Sequence, residues 1–215
     1  MHEPPVIRGG LAARLTSLVI GLFLCACGIV AFLEAELGLP PWDVLHQGLA
    51  EQTPLSFGEA NLVVALIVLL IAAAFRARIG IGTILNSILI GTFVIALTAI
   101  DAVDDLSELS LAGRIVLMVG ALGCFGVGSA LYIAPDLGAG PRDSLMLVSS
   151  KRLGVRIGVT RTALELSALA LGFALGGTAG VVTLVFALGI GPAVELSFRV
   201  LALTPLVAPE VASAA

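Results

Sequence analysis

An all-α, polytopic membrane fold is the class this sequence predicts. It does so through six apolar runs, a self-match at a fixed offset, and one proline-aspartate turn in each half. The expected architecture is six transmembrane helices in two inverted three-helix repeats, each with a short half-helix after its first span. Mean hydropathy is +1.13, with 59% apolar and 12% charged residues over 215 positions. Such a chain has lipid as its main solvent. Its length holds about six spans of roughly 20 residues each with short connections. The expected organisation is a single membrane domain over 1–215, with repeat 1 at 11–100 and repeat 2 at 111–203.

The apolar runs cover about 11–33, 59–75, 79–100, 114–134, 160–175 and 180–203. Only helices and closed barrels satisfy the backbone in lipid, and runs of this length are not barrel strands. The first run follows Arg8 as a signal sequence would, but it exceeds a typical signal core, so it is read as a retained span. "LCAC", ending at Cys27, also loosely matches a lipoprotein cleavage box; cleavage there would delete a segment the repeat requires. The fifth run is the weakest. Its uninterrupted part, 162–175, is about 14 residues and includes Glu165, so it spans only with Arg156 and Arg161 extended toward a headgroup layer. Between the first and second runs stands "LGLPPWDVL", residues 37–45, and between the fourth and fifth stands "LGAGPRDSL", residues 137–145. Each leads into a segment too short to cross, "WDVLHQGLAEQ" or "RDSLMLVSSKR", read as a half-helix.

Sliding the sequence by 100 positions without a gap superimposes Arg14 on Arg114, Gly28 on Gly128, Leu37 and Gly38 on Leu137 and Gly138, and Pro41 on Pro141. The same register joins Asp43 to Asp143, Leu45 to Leu145, Gly58 to Gly158, Gly80 to Gly180, Thr83 to Thr183, and Ile90 and Gly91 to Ile190 and Gly191. Leucine matches are cheap in apolar sequence. Matches of Gly, Pro, Asp and Thr in one register argue for a duplicated unit. A unit of three spans obliges the second copy to enter the membrane from the opposite side. Basic residues agree: with both termini cytoplasmic, Arg8, Arg14, Arg76, Arg78, Arg142, Lys151, Arg152, Arg156, Arg161 and Arg199 fall inside and Arg114 alone falls outside.

Proline suits the first helical turn, and an aspartate two residues on sits in the positive field of a helix N-terminus. One reading has Asp43 and Asp143 only capping short helices that lie along the two membrane faces. The other has the half-helices dipping inward from opposite sides so that their N-termini share a site. On that reading the candidate substrate-binding residues are Pro41, Trp42, Asp43, His46, Pro141, Arg142, Asp143, Ser144 and Glu165. Such a site is asymmetric, since Trp42 answers Arg142 and His46 answers Met146. Ionisable groups inside spans are costly and mark function. Glu165 and Glu195 face Ala65 and Ile95 in the repeat register, yet each has an arginine four residues away, Arg161 and Arg199, for a helical pair. Asn86 fits a bond across helices, and the glycines at 80–82 and 123–128 fit close helix packing.

No nucleophile elbow, phosphate loop, dinucleotide fingerprint or metal-spaced His/Cys set occurs, and His2 and His46 are the two histidines. No enzymatic activity, cofactor or metal is expected. An intramembrane aspartyl protease is set aside because both aspartates lie at turns before half-helices. Cys25, Cys27 and Cys124 sit in apolar runs as plain thiols. No basic run fits nucleic acid. The expected partners are the lipid bilayer and an unidentified small solute, with a homo-oligomer or partner subunit left open.

"LGLPPWDVLHQGL", "IGIGTILNSILIG", "LGAGPRDSLMLVSSKRLG" and "RTALELSALALGFALGGTAGVVTLVFALGIGP" resemble the YczE/YyaS/YitT family of bacterial integral membrane proteins, over about 10–201. The resemblance implies a multi-span helical fold in the bacterial plasma membrane and supplies no catalytic residues. The functional expectation is a small secondary transporter or channel with its site between the repeats. The alternatives are a membrane-embedded binding subunit of a larger transport complex and a non-transporting accessory protein.

Overall fold

The computed structural model describes residues 1 and 3–207; His2 and the C-terminal residues 208–215, with the expected cytoplasmic C-terminus, lie outside the described part. Among the described residues the chain forms nine α-helices and no strand. They are α1 (Leu11–Glu34), α2 (Pro41–Gln52), α3 (Phe57–Ala74), α4 (Ile81–Thr98), the one-turn α5 (Asp101–Asp104), α6 (Leu111–Ile133), α7 (Pro141–Leu153), α8 (Ile157–Ala174) and α9 (Val181–Ala202). Six of them, α1, α3, α4, α6, α8 and α9, have 18 or more residues and are apolar enough to cross a membrane. At 12 and 13 residues, α2 and α7 reach about 18–20 Å and cannot cross.

Local chemistry explains the boundaries. Ser56 and Glu59 form a reciprocal capping box at the start of α3. Pro41 and Pro141 occupy the first position of α2 and α7, where a missing N–H costs nothing. The chain leaves α1 and α6 through Glu36 (φ +47°) and Asp136 (φ +52°), then turns at Gly38 (φ +136°) and Gly138 (φ +100°). These two glycines hold a backbone that other residues avoid, which gives the recurring Leu-Gly pair its physical reason. Helix α8 begins at Ile157, three residues before the expected span, and so reaches 18 residues; Arg156 precedes it as the N-cap residue, in extended conformation.

Contacts place the helix ends. Arg14 donates from Nε to the Pro135 carbonyl at 2.6 Å, and Arg114 donates from Nε to the Ala35 carbonyl at 2.6 Å. One end of the bundle therefore holds the start of α1 and the finish of α6, and the other end the reverse. Arg152 bonds the Phe75 carbonyl at 3.0 Å at the first end, and Gln52 bonds the Leu175 carbonyl at 3.0 Å at the second. The tails of α7 and α2 thus emerge at opposite ends. Packing follows matched pairs: α1 lies on α6, α4 on α1 as α9 on α6, α2 on α8 as α7 on α3, and α2 on α3 as α7 on α8. The largest missing match is that of α8 on α9, since α3 and α4 make no comparable contact.

The central crossing of α1 and α6 depends on bare backbone. A Cβ on Gly21 would stand 2.5 Å from the Tyr132 nitrogen and 2.7 Å from the Gly128 oxygen; one on Gly128 would stand 2.8 Å from the Gly21 oxygen. Small residues let helices in lipid approach this closely. A leucine forced into such a seam costs about 1–3 kcal/mol or more. Gly128→Leu is expected to lower the unfolding temperature of detergent-solubilised protein by at least about 5 °C. Gly120→Leu, where nothing lies within 4 Å of the Cβ position, should leave it unchanged.

Candidate functional site

Helices α2 and α7 begin inside the bundle. Trp42, in the first turn of α2, is 6% exposed, and its indole N–H donates to Glu165 Oε1 at 3.1 Å, halfway along α8. Arg142, in the first turn of α7, stacks over the Trp42 ring at 4.7 Å. The two half-helices thus meet N-terminus to N-terminus, while their other ends emerge at opposite ends of the bundle.

Around that meeting point runs one connected polar chain. Arg142 Nη2 lies 3.4 Å from Asn61 Oδ1 on α3 and 3.3 Å from His46 Nε2 on α2. His46 Nδ1 lies 3.2 Å from Asp43 Oδ1. Because Nε2 faces an arginine, which can only donate, the tautomer that satisfies both contacts carries its proton on Nδ1 and donates it to Asp43. Beyond Trp42, Glu165 Oε1 lies 3.0 Å from Arg161 Nε, Arg161 pairs through Nη1 with Asp143, and the Tyr132 hydroxyl donates to the same carboxylate. Five helices contribute: α2, α3, α6, α7 and α8.

Charges this deep need partners. The Arg161 and Asp143 side chains are 11% and 15% exposed, and Glu165 is fully buried. Arg161 serves two carboxylates, and its Nε, although close to Glu165, is off-line for a hydrogen bond. Glu165 Oε2 has no hydrogen-bond partner among the described residues. The site therefore holds a buried carboxylate with one oxygen engaged and one free, beside two guanidinium groups and two helix N-termini, each carrying partial positive charge.

Trp42, Asp43, His46, Arg142, Asp143 and Glu165 of the expected set are brought together here. The aspartates do not cap their helices: neither α2 nor α7 has a side-chain cap, and both carboxylates reach other side chains instead. Pro41 and Pro141 shape the helix starts. Ser144 is buried away from the chain and donates to the Ala139 carbonyl at 2.9 Å, an oxygen that also accepts from Thr83 at 2.8 Å. Sequence reasoning saw Arg161 as a partner for Glu165 and as extended toward a headgroup layer, whereas its side chain is buried against Asp143; it missed Tyr132 and Asn61. Asn61 had a legible signal, since it stands at Arg161's place in the repeat register; Tyr132 stands where the first half has Phe32, a difference without chemical emphasis. Glu195 lies outside the cluster. It accepts from Arg156 Nε at 2.8 Å, Arg199 at 2.6 Å and the amine of Met1 at 3.1 Å. At the same end, a depression of about 340 Å³ beneath Glu3, Pro4 and Pro5 reaches Ser144 and carries Arg76, Arg78 and Lys151 on its rim.

Residues 12–199 match a family described as "Family of unknown function (DUF6198)". The chain is similar to a Haemophilus influenzae protein described as "Uncharacterized protein", at 36% identity over 188 residues covering 87% of this chain and 84% of that one. It is also similar to the "Uncharacterized membrane protein YczE" of Bacillus subtilis, at 32% identity over 181 residues covering 83% and 82%. No solved structure matches.

Removing the cation from a buried cluster leaves uncompensated charge, which costs about 3–5 kcal/mol. Arg161→Met is expected to destabilise the solubilised protein by that order. Adding Asp143→Asn and Glu165→Gln to the same chain should recover most of the loss, as read from unfolding temperatures of the single and triple variants.

Proposed function

The chain belongs to the YczE-type family of membrane proteins, DUF6198, and from that premise we propose that it is a small secondary transporter or channel whose solute site lies between two inverted repeats. The observation that carries this reading is the meeting of two half-helix N-termini, entering from opposite ends, at the polar chain around Trp42 and Arg142. Broken helices are tolerated at depth where protein buries them or where they line a path, and helix starts at the midplane form solute and ion sites in inverted-repeat transporters.

Inversion has support from individual contacts. When residue i touches residue j, residue i+100 often touches j−100. Arg14 on Pro135 corresponds to Arg114 on Ala35, Arg152 on Phe75 to Gln52 on Leu175, and Gly138 on Thr83 to Gly38 on Thr183. A contact set that maps onto itself in this way is what a two-fold axis between the halves requires. The excess of Lys and Arg puts the Arg14 end on the cytoplasmic side of a bacterial plasma membrane. Glu165, with one free oxygen, is the proposed proton or cation carrier, and the mechanism involves no covalent chemistry.

Trp42 is the one tryptophan of the chain, so its emission reports on the site without a label. A panel of small solutes screened by Trp42 fluorescence is expected to give a saturable shift for the transported class. Flux of that solute into proteoliposomes should fall at least about tenfold in the Asp43→Asn, Asp143→Asn double variant; unchanged flux would remove both residues from the mechanism. Inversion has its own test: Gln52→Cys and Arg152→Cys should react with a membrane-impermeant thiol reagent from opposite sides. Reaction from one side would end the reading of the halves as inverted.

A further inference from the structure

The halves differ in packing at a place where their sequences agree. Gly158 and Gly191 seat α8 on α9: a Cβ on Gly158 would stand 2.9 Å from the Gly191 oxygen, and one on Gly191 would run into the Gly158 oxygen and the Thr162 hydroxyl. Glu195 of α9 fastens this seam by accepting from the Gly158 N–H at 3.2 Å and from Arg156 Nε at 2.8 Å. The same glycines recur in the first half as Gly58 and Gly91, where nothing lies within 4 Å of either Cβ position. There α3 and α4 stand apart, and the counterpart of Glu195 is Ile95, 72% exposed.

A glycine inside a helix is unfavourable relative to alanine unless a close approach uses it. In the second half the approach exists; in the first half it does not. The consequence reaches the polar chain through α8 and α3: Asp143 pairs with Arg161 of α8, in the closed pair, whereas Asp43 bonds His46, whose ring packs on Phe57 of α3, in the open pair. The Asp43 side chain is 32% exposed and that of Asp143 15%. Seam glycines that recur in both halves, with the seam closed in one and open in the other, leave an exchanged arrangement open to the same chain.

Building on the transporter reading above, we infer that the protein exchanges its seams. In a second conformation Gly58 meets Gly91, α3 closes on α4 and covers Asp43, and the Gly158–Gly191 contact opens to uncover Asp143. The polar chain is then reached through one seam at a time. The Glu195 fastening, with no carboxylate opposite it in the first half, biases the molecule toward the state described here.

Cross-linking tests the exchange without any solute. In a background with Cys25, Cys27 and Cys124 replaced by alanine, Ser56→Cys and Ile95→Cys mark the first seam at the positions that answer Arg156 and Glu195. Oxidation in membranes is expected to join them in a fraction of molecules. Gly91→Ala adds a methyl to open space in the present state but obstructs the exchanged one. It should cut the yield about tenfold or more while leaving size-exclusion behaviour intact. Gly191→Ala wedges the closed seam and should raise the yield severalfold. Absence of the cross-link in every variant, or a yield indifferent to Gly91→Ala, overturns the exchange. If flux depends on Asp43 and Asp143 while the cross-link ignores the glycines, transport stands and seam exchange falls. A glycine-dependent cross-link without flux of any solute supports the exchange and removes transport.

Discussion

Two helices start in the interior of a chain whose solvent is largely lipid, and much of the architecture answers that constraint. A helix start leaves up to four N–H groups without intrahelical partners and carries a partial positive charge. At a water-facing helix end, solvent would meet both demands. Here Pro41 and Pro141 each remove one donor, and the side chains of the first turns supply compensating negative charge through Asp43 and Asp143. The turn that delivers the chain to α7 is held by the beginning of α4, where Thr83 donates to the Ala139 carbonyl, and by Ser144 of α7 itself, which donates to the same oxygen.

The second half contributes more of the charge. Arg161 stands where the first half has Asn61, Glu165 where it has Ala65, and Arg142 where it has Trp42. Counting ionisable side chains in the polar chain, Asp43, Asp143 and Glu165 face Arg142 and Arg161. The residual negative charge is opposed by two helix dipoles worth roughly half a charge each. The cluster is therefore close to balanced, and a proton or a cation changes that balance by one unit in a place where such a change is strongly felt. The free oxygen of Glu165 is where a single proton meets least competition from existing hydrogen bonds.

Span number and the two short helices were legible because each depends on composition or on spacing along one chain. The depth of α2 and α7 was not. A moderately apolar segment of a dozen residues has the same sequence whether it lies along a membrane face or points into the bundle, and only partners far along the chain decide. Trp42 and Glu165 are 123 positions apart, and so are Gln52 and Leu175. Ser144 was misleading for a related reason. Its place beside Asp143 promised a shared surface, but successive residues of a helix point about 100° apart, and its hydroxyl turned back to the preceding loop. Tyr132 was invisible because a tyrosine at a helix end is commonplace until a carboxylate is set against it.

The contact of α1 with α6, of α2 with α8 and of α3 with α7 runs between halves, so neither half completes its core alone. The result is a problem of timing. A ribosome feeding this chain into a bilayer releases Trp42 and Asp43 long before Glu165 and Arg142 exist to receive them. Until then the side chains that receive Trp42 at depth are missing. The interior position of α2 is thus complete only once the second half of the chain has been made.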